Sequence, residues 1–121
     1  MKRVFLVVLV CLLPTLSFSH PNFSIQNVGN WYESGTLHKK TAKDWHLGRY
    51  RDRLATSADF LTVATPKHKQ QTLFENNLRL LKVQSVALEK CITEATVDTS
   101  SRNLQVSEVA ILCIVLLGIN K

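Results

Sequence analysis

Glycine and proline are scarce in this 121-residue chain, at 4 and 3 residues, which excludes a collagen-like repeat and a largely disordered low-complexity chain. Cysteine is sparse too. Three residues are too few for a disulfide-dense miniprotein, and the length leaves no room for a TIM barrel or for a Rossmann unit with a second domain. The nucleophile elbow G-x-S-x-G, the zinc-binding H-E-x-x-H, the phosphate-cradling P-loop and the haem-attachment C-x-x-C-H are all missing. The nine acids are scattered, so no carboxylate pair stands out for acid–base chemistry. The expectation is one domain that is not an enzyme and needs no cofactor.

What is present begins with an export signal. Met1, Lys2 and Arg3 form a cationic head, residues 4–13 form an apolar run, and Pro14 breaks it. Ser17 and Ser19 place small residues at the −3 and −1 positions, so cleavage is expected between Ser19 and His20. The run is too short to span a bilayer, and Val10 before Cys11 does not suit a lipoprotein-processing site. Removal of residues 1–19 takes away Cys11, Lys2 and Arg3, so the formal charge falls from +6 to +4 and two cysteines remain, Cys91 and Cys113. A charge this modest and dispersed does not call for nucleic acid. The expected compartment is the bacterial periplasm, or the secreted space otherwise, where thiols oxidise and a Cys91–Cys113 disulfide should form.

The pattern then divides the mature chain. Residues 20–40 carry Asn, Ser and Gly between apolar anchors such as Phe23, Trp31, Tyr32 and Leu37, and read as an extended arm lying on the core. Residues 41–121 read as an all-α domain. Thr41 and Asp44 resemble a capping box, and Leu47, Tyr50, Leu54, Ala58 and Leu61 recur at helical spacing until Pro66. A second stretch carries one stripe through Leu78, Leu81, Ser85, Leu88, Ile92 and Ala95 and a second row through Leu80, Val83, Ala87 and Cys91; the Asn76, Asn77 pair could break it. The turn 97–102 leads to a third stretch that is uncharged from Val109 to Ile119. Those 11 residues fall short of the about 20 a membrane helix needs, so a buried core helix ending at Gly118 is expected rather than stable membrane insertion. The architecture is thus a small bundle of three main helices, at about 41–64, 70–95 and 103–119.

The cysteine numbers support the last hairpin. Residues facing one another across an antiparallel helical hairpin have a constant sum. Cys91 and Cys113 sum to 204, against about 200 for a turn centred near Ser100, an offset of roughly 3 Å per arm. The spacing fits neither a thioredoxin-type C-x-x-C nor a zinc site. A mature chain beginning at His20 raises one minor alternative, in which its amine and imidazole chelate copper with help from His38, His46 or His68.

His46, Arg49 and Arg53 lie at i, i+3 and i+7, on a single ridge of the first helix, with Trp31, Tyr32, Trp45 and Tyr50 nearby in sequence. The arginines must meet solvent, acids elsewhere such as Glu75, Glu89, Glu94 or Glu108, or an external acidic partner. Because Trp, Tyr and Arg dominate interface energetics, the candidate partner-binding residues are Trp31, Tyr32, Trp45, His46, Arg49 and Arg53. The profile resembles, in size, compartment and fold class, that of periplasmic immunity proteins that protect bacteria from secreted cell-wall hydrolases. The resemblance implies a non-catalytic binding or inhibitory role toward another protein. The alternative is a homodimeric structural or accessory protein of the cell envelope, paired through the apolar run from Val109 to Ile119.

Overall fold

The computed structural model describes residues 29–119; residues 1–28, and with them the expected cleavage site, His20 and Phe23, lie outside the described residues. The described chain is an all-α bundle. We label its helices α1 (Ala42–Leu47), α2 (Tyr50–Ala64), α3 (Lys67–Leu73), α4 (Arg79–Ala95) and α5 (Val106–Leu117), with a 3-10 turn at Thr99–Ser101 before α5. The centre is built by α2, α4 and α5, which contact one another pairwise. Leu61, Leu81, Leu88, Ile92, Val106 and Ala110 form its interior.

Two of the three expected stretches are divided. The first breaks between Leu47 and Tyr50, where Gly48 and Arg49 are extended, with ψ of 161° and 150°. The break rotates α1 relative to α2. Trp45 enters the core with no exposed surface, whereas Leu47 is 75% exposed and Tyr50 is exposed as well, so the stripe drawn through Leu47 and Tyr50 does not continue to Leu54. The second stretch breaks at Asn76, Asn77 and Leu78, all in the left-handed region with φ of 52°, 58° and 66°. Asparagine tolerates that region and leucine does not; Leu78 is held there by packing against the core.

Helix ends are satisfied by unexpected partners. Thr41 does not cap α1 through its side chain; it meets Asp44 instead, Oγ1 to Oδ2 at 3.3 Å. The amides of Ala42 and Lys43 donate to the carbonyls of Leu104 and Arg102 at 2.8 and 3.0 Å, and the Val106 amide donates to the Lys40 carbonyl at 2.9 Å. The starts of α1 and α5 therefore cap each other through an antiparallel bridge, Thr41 with Gln105. This extended pairing is why α5 begins at Val106 rather than at 103. Gly118, with φ of 66°, closes α5.

Residues 29–40 run along α2. Asp52, Thr56 and Asp59, at i, i+4 and i+7, form a polar stripe that receives them. The Asp52 carboxylate accepts from the Thr36 amide and hydroxyl, the Thr56 hydroxyl accepts from the Leu37 amide at 3.2 Å, and Asp59 pairs with His38 at 2.8 Å. Gly35 makes the close approach possible: a Cβ there would lie 2.5 Å from the Thr56 nitrogen. Cys91 of α4 and Cys113 of α5 are at disulfide distance, with Cα atoms 5.9 Å apart, as the hairpin register requires.

Two outcomes follow for stability. In urea denaturation, paired Cys91→Ser and Cys113→Ser substitution should lower unfolding free energy by about 3 kcal/mol, the loop-entropy contribution of a link this long. Gly35→Ala should cost about 1–3 kcal/mol, because the clash is with α2 backbone and not with a movable side chain; an unchanged midpoint would show that the arm shifts freely.

Candidate functional site

Three of the six sequence-expected binding residues are used internally. Trp45 is wholly buried and its indole donates to Thr93 at 2.9 Å. Thr93 in turn donates to Glu89 at 2.9 Å, and Glu89 accepts from the Arg53 Nε at 2.9 Å. Arg53 also donates to the Gly48 carbonyl at 2.6 Å, satisfying a group that the break between α1 and α2 exposes. His46 sits against the Thr96 hydroxyl at 2.8 Å. The expected ridge assumed one continuous helix. With the break, His46 and Arg53 belong to different helices and both turn inward, so Trp45 and Arg53 are corrected from surface candidates to interior ones. Arg49 remains exposed, beside a cleft of about 560 Å³ that also holds Arg51 and the acids Glu33 and Asp52.

Trp31 and Tyr32 are half-buried, packed edge to face with centroids 5.4 Å apart, and Lys82 lies over the Trp31 ring at 4.4 Å. Tyr32 lines a groove of about 810 Å³. Its floor is apolar, with Ala58, Leu81, Ala110 and Ile114 supplied by α2, α4 and α5. Val63 and Ile111 stand on its walls at 85% and 62% exposure, and Phe74 faces it from the segment after α3. The polar pair His38 and Asp59 lies at one end, with Phe60 edge-on to the imidazole at 5.4 Å.

The groove continues onto the outer face of α5. Val109, Ala110, Cys113 and Ile114 are buried, whereas Leu112, Val115 and Leu116 are 63%, 61% and 80% exposed. The expectation of a fully buried C-terminal helix is therefore corrected: one face is core and the opposite face is open. Ile111 belongs both to the wall of the groove and to this open face of α5, and Val63 and Phe74 line the same groove.

Among the described residues, no group of three or more His, Cys, Asp or Glu could hold a metal, and no helix is long and apolar enough to cross a membrane. Among the described residues, no hydroxyl hydrogen-bonds His38. The chain matches no protein-family model, no curated protein and no solved structure.

The internal role of Arg53 has a measurable signature. Arg53→Met strands a buried carboxylate and the Gly48 carbonyl, and should lower stability by about 3 kcal/mol. Adding Glu89→Leu should recover most of that loss, since an apolar pair can replace a buried ion pair. A double variant no more stable than the single would assign the loss to packing.

Proposed function

We propose that the protein is an exported, non-catalytic binding module that recognises another protein through the groove between the arm, α2 and α5, with an inhibitory or immunity-type role in the periplasm. The observation that carries the reading is the open apolar groove of about 810 Å³, continuous with the uncovered face of α5. Its volume lies in the range of real binding sites, and its lining is apolar with few polar groups at one end. A disulfide and an export signal suit an oxidising compartment. The basic ridge no longer supports recognition, because only Arg49 of its three members is exposed without an internal partner.

A second reading has its own support. Leu112, Val115 and Leu116 are exposed on a helix with no basic residue, and an isologous pairing of two such faces would make a homodimer. Sedimentation equilibrium at micromolar concentration separates the two: a dimer abolished by Leu112→Lys with Leu116→Lys supports the second reading, and a monomer removes it.

The groove itself is tested with a neutral solvatochromic dye such as Nile red. One dye should bind per chain with a blue shift, and Val63→Asp or Ile111→Asp should weaken it about tenfold. Both positions are exposed, so the fold should survive, as near-ultraviolet circular dichroism of Trp31 and Trp45 can verify. Arg49→Glu should leave dye binding unchanged. Binding unaffected by either groove substitution would sink the groove reading.

A further inference from the structure

The chain is basic, with 15 Lys plus Arg against 9 Asp plus Glu, yet its apolar groove has the opposite sign. Glu33 and Asp59 line it and no lysine or arginine does. Glu108 adds a third carboxylate. It lies three and four residues before Ile111 and Leu112 on α5, on the same exposed face. Glu33 engages Asn30 through one oxygen, at 2.8 Å, and Asp59 engages His38 through one oxygen. Neither contact uses the second oxygen of its carboxylate, and the Glu108 carboxylate makes no contact within the described chain.

We propose that the occupant of the groove is a basic amphipathic helix of a partner protein or peptide, its apolar stripe seated between α2 and α5 and its lysines or arginines set against Glu33, Asp59 and Glu108. The inference rests on the groove reading above and names the chemistry of its partner. The walls are helices, and among the described residues there is no strand whose edge could receive an extended peptide. An added helix matches such walls by ridge-into-groove packing. The twelve residues of α5 span about 18 Å, enough to contact three turns of a partner. Charge complementarity then chooses the sign of the partner. A fatty acid would bring its carboxylate to two others. A second copy presenting α5 would bring Glu108 and no cation, since residues 106–117 contain no Lys or Arg.

Three designed peptides of about five helical turns test this, each with the same leucine stripe and with lysine, glutamine or glutamate on the polar face. Fluorescence anisotropy against the purified protein at low salt should place the lysine peptide in the micromolar range at 1:1, and the glutamate peptide at least about tenfold weaker. The overall charge of the protein predicts the reverse order, so the ranking is diagnostic. Glu33→Gln with Glu108→Gln removes two of the three carboxylates and should cut the advantage of the lysine peptide over the glutamine peptide at least about threefold, and about 0.5 M salt should remove it. Ile111→Asp should abolish binding of all three. Equal affinities, a preference for glutamate, or a lysine preference undiminished by the Gln variants would overturn the basic-helix inference. Dye binding that remains dependent on Ile111 in that case would leave the groove reading standing. A dimer that excludes both dye and peptide would overturn both.

Discussion

The pairing of Arg53 with Glu89 sets the geometry on which the rest of the molecule depends. A helix break costs hydrogen bonds, because carbonyls at the end of one segment lose their partners. At Gly48 the lost partner is replaced by the Arg53 guanidinium, whose other nitrogen holds Glu89 of α4. Thr93 and the Trp45 indole extend the same chain of contacts back to α1. One buried network thus fixes the angle between α1 and α2 and the register of α2 on α4. The arm and the groove are then positioned by α2, through the stripe Asp52, Thr56 and Asp59 on one face and Ala58 on another. The energetic worth of a buried ion pair is modest against an apolar replacement; its structural worth here is that the guanidinium it orients also supplies the Gly48 carbonyl with a donor.

How far this was legible in the sequence depends on the range of the interaction. The Cys91–Cys113 register, the core stripe Leu81, Leu88 and Ile92, and the closing of α5 at Gly118 follow from helical period and local conformational preference, and the structure agrees with each. The break at Gly48 was not legible, since one glycine inside a periodic stretch is usually tolerated, and the groups that stabilise the break come from Arg53 and Glu89. The start of α5 was missed for a similar reason. Residues 103–105 read as helix-compatible, but the carbonyls of Arg102 and Leu104 are taken by the amides of α1, some sixty positions earlier in the chain. Binding residues chosen by type alone fared worst, because tryptophan and arginine are as useful in building a core as in meeting a partner.

The uncharged run from Val109 to Ile119 shows the same ambiguity in its sharpest form. Burial by the chain's own core and burial by a partner select the same residues, so composition cannot tell the two faces of α5 apart. Their difference is set by what α2 and α4 cover, which leaves Ile111, Leu112, Val115 and Leu116 open. The placement of acids is more informative. In a chain rich in lysine and arginine, a groove lined by Glu33 and Asp59 with no basic residue is a local reversal of sign, and fields of that kind act on encounter and on partner choice more than on folding.

The Cys91–Cys113 bridge has a consequence beyond loop entropy. A terminal helix with one core face and one open face is a natural candidate for exchange between molecules, each copy lending its α5 to the other. The bridge ties α5, just past its middle, to the C-terminal part of its own α4, so the oxidised chain cannot make that exchange without breaking a covalent bond. Oxidation therefore acts as a topological lock. It lets the molecule keep an apolar surface exposed while preventing the helix that carries it from being traded into swapped oligomers.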